Sequence, residues 1–161
     1  MSGIDCGIER DGKKFRYRSA AIIIEDGKML LLENNRDPYL YTVGGAVELG
    51  ETAEDAVRRE CVEEIGVKYE PERLAVIQEE FYREPDRNGD LMDAHELGFF
   101  YVMHPRGTTD GVLERSKSDG FEERTRWIPL DELEGHEIIP PFLKDRDAYS
   151  GSLSHLVIRL V

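Results

Sequence analysis

GAVELGETAEDAVRRECVEEIGV, residues Gly45 to Val67, is the stretch from which the rest of the chain can be read. It follows Gly44, so it opens on a glycine pair, and it closes on Gly66-Val67. Between them, Ala53, Ala56, Val57, Cys61 and Ile65 recur at helical spacing and predict one apolar face. Thr52 is a natural N-cap, Glu54 and Asp55 in the first turn complement the helix dipole, and Gly66 is a natural stop. Glu60, Glu63 and Glu64 stand at i, i+3 and i+4, which puts three carboxylates on one side of that helix. Like charges so placed repel by about 0.2–0.5 kcal/mol per pair, so helix stability alone does not account for them. A divalent cation held by hard oxygen ligands would. An E-x-x-E-E run by itself is commonly just a solvated helix face.

Upstream, residues 1–13 are polar and predict a loosely held arm or a short edge strand. Phe15 to Arg18 alternates, Ala20 to Ile24 has the small and β-branched residues of a buried strand, and Asp26-Gly27 signals a hairpin returning through Met29 to Leu32. Asn34 to Pro38 has loop chemistry, and Tyr39 to Val43 is expected as one short strand delivering the chain to the glycine pair.

Downstream, Arg73 to Arg83 and His95 to His104 predict two long strands joined through the polar loop Glu84 to Asp93. A second loop is expected over Pro105 to Gly120. A strand with Trp127 follows over Glu122 to Leu130, then a helical turn at Asp131 to Gly135. A short helix opened by Pro140-Pro141 and a closing strand from His155 to Val161 complete the chain. Many strands and few helices, without βαβ alternation, indicate an α+β, mixed-sheet sandwich, expected as one domain over residues 1–161.

Composition narrows the function. A net charge of −13 argues against a nucleic-acid polymer as partner. A small phosphorylated substrate remains compatible, because a cation in an acidic pocket reverses the local sign. Cys6 and Cys61 form no metal-ligand or CxxC pattern, and there is no apolar leader or membrane-length run, so a cytoplasmic protein is expected.

The pattern Gly45, five residues, Glu51, seven residues, then Arg59-Glu60-Cys61-Val62-Glu63-Glu64-Ile65-Gly66-Val67 resembles the signature box of the Nudix hydrolases. Cys61 stands where an aliphatic residue is usual, a mild departure because a buried thiol behaves as a small hydrophobe. Val43 stands where many members carry proline. The segment Trp127 to Leu133 is also similar to the family's. The resemblance implies an α/β/α sandwich around a mixed β-sheet, with the box as a loop–helix–loop. It also implies hydrolysis of a nucleoside diphosphate linked to another moiety, with Mg²⁺ or Mn²⁺. Glu60 and Glu64, with Glu63 close behind, are then the expected metal ligands, joined by the Gly45 carbonyl. Arg59 is expected to orient the glutamates through Glu51 or Glu60. Glu60, Glu63, Glu122 and Glu123 compete as general base. A homodimer is neither required nor forbidden.

Outside the box, His95 and Glu96 open a strand, and Glu96 could join the metal or contact a ribose. Arg16, Arg18 and Arg36 could reach a phosphate, although exposed strand or loop charges are the commoner case. Tyr39 and Tyr41 suit core packing or base stacking. Substrate choice is expected from the loops Glu84–Asp93 and Pro105–Gly120. Two other functions compete: isomerisation of a prenyl diphosphate, against which the intact glutamates argue, and a sensing or protein-interaction module that keeps the fold without chemistry.

Overall fold

The computed structural model describes residues 3–118 and 120–161. The first two residues of the expected N-terminal arm, and Asp119 of the expected second loop, lie outside the described residues. Strand β2, Lys13–Ile22, is the centre of the first sheet. It pairs antiparallel with β1 (Gly7–Arg10), antiparallel with β6 (Val43–Ala46), and parallel with β8 (Leu91–Met103). Beyond β8 lie β7 (Pro71–Pro85), antiparallel, and β12 (Ser154–Arg159), parallel to β7. The second sheet runs β11 (Ile138–Ile139), β5 (Leu40–Tyr41), β4 (Lys28–Asn34), β10 (Phe121–Pro129), β9 (Arg115–Ser118), with β3 (Ile24–Glu25) paired to β4. Both sheets are mixed.

The apolar runs of β2 and β4 are continuous because each strand is covered on both faces. Ala20, Ile22, Met29 and Leu31 pack with Leu133, Leu143 and Tyr149 from the short helical pieces near the C-terminus. Their neighbours Ala21, Ile23, Leu30 and Leu32 pack with Val57, Cys61 and Ile65 of helix α1, Ala53–Ile65. Two helical layers thus sandwich the strands, and a one-residue register slip in β2 or β4 would exchange their two cores. The short pieces are 3₁₀ turns at Leu130–Gly135 and Pro141–Lys144 and a single-turn helix α2, Asp147–Ser150.

Helix α1 starts where Thr52 Oγ1 accepts from the Asp55 amide at 3.1 Å. It ends at Gly66, whose φ of 74° is open to glycine at little cost and lets its amide reach the Val62 carbonyl. No helix among the described residues is long and apolar enough to cross a membrane.

The structure corrects several expectations. Tyr39 to Val43 is not one strand: the chain changes sheet at Thr42, with Tyr41 opposite Leu32 in the second sheet and Val43 opposite Ala21 in the first. Gly44 and Gly45 therefore lie inside strand β6 rather than in a loop. A Cβ on Gly44 would come within 2.8 Å of Ala20 Cα, so only glycine lets the two backbones approach this closely. Val43 is fully buried, and packing holds the position that proline was expected to stiffen. Strands β9 and β11 are additional; both are too short, and β9 too polar, to show as apolar alternation. The arm contains the edge strand β1. The Glu84–Asp93 loop shrinks to a tight turn because β7 and β8 pair as far as Pro85 and Leu91.

Candidate active site

A cavity of about 530 Å³ opens between β6, the N-terminal half of β2, the β4–β5 connection and the carboxylate side of α1. Eight carboxylates and four arginines line it. Glu60 and Glu64 enter from α1, one turn apart. Glu60 is only 8% exposed, on the same inward side of the helix as Ala56 and Val57. Glu63 is turned further outward and lines the rim.

Arg59 ties this side of the helix together. It donates from Nε and Nη2 to the two carboxylate oxygens of Glu51 at 2.8 and 2.9 Å, and from Nη1 to Glu60 Oε1 at 2.8 Å and Glu63 Oε2 at 3.2 Å. Nη2 also donates to the Ala46 carbonyl at 3.0 Å. The Arg59 contact holds the Glu51 carboxyl below its ordinary range, and those carboxylates raise the guanidinium pKa in turn. Glu51 does not line the cavity; it is joined to it through Arg59.

The opposite wall comes from β10. Glu123, 5% exposed, accepts from the Tyr41 hydroxyl at 2.6 Å through Oε2, while its Oε1 is buried without a partner. Tyr41 in turn accepts from Asn34 Nδ2 at 3.1 Å, and Asn34 Oδ1 takes the amides of Arg36 and Asp37, so the β4–β5 connection is braced against the same carboxylate. Burial, and after it the charges of Glu123 and Glu60, push the Glu64 carboxyl up to about 9, although Gly44 N–H donates to it at 3.2 Å. Burial raises the Glu60 carboxyl as well, against the opposing pull of Arg59.

The arrangement suits a hard cation: oxygen donors only, crowded enough to repel one another, with one buried oxygen unpartnered. Gly45 completes it, because any Cβ there would collide with the Glu60 carboxylate. No three His, Cys, Asp or Glu side chains among the described residues are arranged to enclose an ion. Glu60 gives its Oε1 to Arg59 while lining the same cavity as Glu64.

The cavity thus brings together Gly45, Arg59, Glu60, Glu63, Glu64, Arg36 and Glu96. It leaves out two residues singled out in the sequence, His95 and Glu122. His95 faces the other side of the sheet from Glu96, with its ring stacked on Phe81 at 4.3 Å and edge-on to Phe15 at 5.3 Å. Glu122 points away and meets Arg115 at 3.2 Å on the exposed β9–β10 hairpin. In both pairs strand alternation decides: Glu96 and Glu123 face inward, so their neighbours cannot. The expected specificity loops, Glu84–Asp93 and Pro105–Gly120, supply no lining residue among those described. The β4–β5 connection, Phe121 and the floor of β2, β7 and β8 do. The parity that Glu123 shares with Thr125 and Trp127 along β10 was the signal that could have singled it out from Glu122.

The fold and the acidic cavity carried by α1 define a class, and the chain matches the NUDIX domain over residues 15–146. It belongs to the NUDIX family. Among its relatives are the ADP-ribose pyrophosphatase of Methanocaldococcus jannaschii, 36% identical over 89 residues, and the oxidized purine nucleoside triphosphate hydrolase of Mus musculus, 32% identical over 98 residues. These alignments cover 50% and 60% of this chain and 50% and 53% of theirs, so the chain spans about half the length of the curated relatives it matches. The MutT protein of Bacillus halodurans shares the fold, with a TM-score of 0.63 at 20% identity over 87% of this chain and 89% of that one.

Proposed function

We propose that this chain is a divalent-metal-dependent pyrophosphohydrolase that cleaves a phosphoanhydride bond in a nucleoside diphosphate derivative. The observation that carries the proposal is the convergence of Glu60 and Glu64 from α1 and Glu123 from β10 on one cavity beside Gly45. Family membership supports it, since NUDIX hydrolases generally use divalent metal ions. Glu60 and Glu64 would hold Mg²⁺ or Mn²⁺, with Glu63 and the Gly45 carbonyl beside them. The cation supplies the charge neutralisation without which a phosphate repels an attacking water. Arg59 sets the orientation of Glu60 and Glu63, using Glu51 as its anchor. Glu123, whose Oε1 has no partner among the described residues, and Glu63 at the rim are our candidates to take the proton from the attacking water. Tyr41 fixes the Glu123 carboxylate by its hydroxyl, and Arg36 at the cavity mouth offers a cation to the substrate. Two unpaired cysteines, Cys6 and the buried Cys61, support a reducing, cytoplasmic setting.

The named activities of the two relatives set the substrates to try first. The protein is incubated with Mg²⁺ or Mn²⁺ and ADP-ribose, oxidized purine nucleoside triphosphates, nucleotide sugars and dinucleoside polyphosphates. Metal-dependent release of nucleoside monophosphate from one of these, abolished by chelation, is the expected result. Turnover of none of them would favour a sensing module that keeps the fold.

A further inference from the structure

The four arginines lining the cavity are not equivalent. Arg59 is held by Glu51, Glu60 and Glu63, Arg16 lies 3.5 Å from Glu96, and Arg36 is stacked on the Phe121 ring at 3.5 Å. Arg18 makes no ion pair among the described residues, and its Nε is shut off from water without a partner. The reason lies in the register of β2. Arg18 stands opposite Ala46 of β6 on one flank and Gly98 of β8 on the other, and neither has a side chain that can accept from it. Its next same-face neighbours along the strand are Arg16 and Ala20. Arg18 shares the cavity with eight carboxylates, and its charge favours the ionised forms of Glu60, Glu64 and Glu80, yet it forms a contact ion pair with none of them among the described residues.

An unmet buried donor costs about 1–3 kcal/mol, and a guanidinium presents a planar fork of donors that matches phosphate oxygens. We propose that Arg18 is a substrate-binding residue, gripping the pyrophosphate of the nucleotide from the strand side while α1 serves it from the other. The inference rests on the proposed activity for its substrate class, but not for its test. Arg18 lies outside the glutamate box, and nothing in the flanking sequence distinguishes it from Arg16.

The test is binding, measured by titration calorimetry with ADP and with inorganic pyrophosphate in Mg²⁺, alongside Mg²⁺ alone. Arg18→Gln should weaken both anions by roughly tenfold or more, the loss of a charge-assisted fork. Binding of Mg²⁺ alone should be unchanged or tighter, because a cation near Glu60 and Glu64 has been removed. Arg18→Lys should recover part of the affinity, as a point charge without the fork, and it preserves the experiment if the glutamine variant does not fold. Equal pyrophosphate affinity in wild type and Arg18→Gln would overturn the inference. So would parallel loss of Mg²⁺ binding, which marks a structural role, or a wild type that binds neither anion at millimolar concentration. A wild type that binds pyrophosphate through Arg18 yet hydrolyses nothing would overturn the proposed activity and leave this inference standing.

Discussion

Arg59 and Glu51 meet through two parallel hydrogen bonds of 2.8 and 2.9 Å, eight residues apart in sequence and across the turn that leads into α1. The remaining arm of the guanidinium then reaches Glu60 and Glu63, so the position of two cavity carboxylates depends on an acid that is not in the cavity. Arg59→Lys keeps the charge and loses the fork. It should lower kcat/KM by roughly 10–100-fold, the usual cost of losing a residue that orients ligands, with the helix intact by circular dichroism.

The same pair gives the protein an acid-sensitive contribution to stability. The Glu51 carboxyl is held below its ordinary value by Arg59, so its contribution is complete above the unfolded value near 4.5 and is lost as pH falls through the lower, folded one. Thermal melts of wild type and Glu51→Gln should therefore diverge most above pH 5 and converge towards pH 3, by an amount on the order of 1 kcal/mol. Curves that stay parallel down to pH 3 would show that the pair does not stabilise the fold.

Glu64 sits among carboxylates that repel it. Glu64→Gln keeps the side-chain shape and removes the charge, so in chelator the variant should melt several degrees above wild type. Millimolar Mg²⁺ should stabilise wild type and not the variant. Hydrolysis should fall with it. Full activity in Glu64→Gln would rule this residue out as a ligand.

The glycine pair separates fold from function. In Gly44→Ala the new methyl meets the backbone of β2 at Ala20, which cannot yield, and the variant should lose about 1–3 kcal/mol by denaturant unfolding. In Gly45→Ala the methyl meets the side-chain carboxylate of Glu60 rather than backbone. That variant should stay close to wild type in stability and lose metal affinity, read from the Mg²⁺ dependence of its rate.

Adjacent acids on β10 should behave oppositely. Glu123→Gln should reduce kcat by roughly 10²-fold, the scale of a lost proton acceptor. Glu122→Gln, on the exposed hairpin face, should remain within about twofold of wild type. Tyr41→Phe, which removes the hydroxyl that holds Glu123, should fall between them.

Most of the local structure was legible because its causes are local. The cap at Thr52, the stop at Gly66 and the apolar stripe of α1 involve residues within a few turns of one another, and the helix lies between them as expected. The long strands were legible from composition, and their ends were not, because pairing partners set where β7 and β8 terminate. The change of sheet at Thr42 left no trace in sequence, since the residues on either side of it are equally apolar and β-compatible.

By itself, then, the sequence determined that three glutamates share the side of one capped helix, beside an arginine able to bind them, behind a glycine pair. Periodicity and spacing are properties of a single segment, and they survive in any fold that forms the segment. Only the tertiary structure decided which residues complete the cavity. Glu123 rather than Glu122, Glu96 rather than His95, and Arg18 without a contact ion pair among the described residues all follow from strand register, which is set by partners distant along the chain. A shift of one residue in that register would turn each of these side chains to the opposite face.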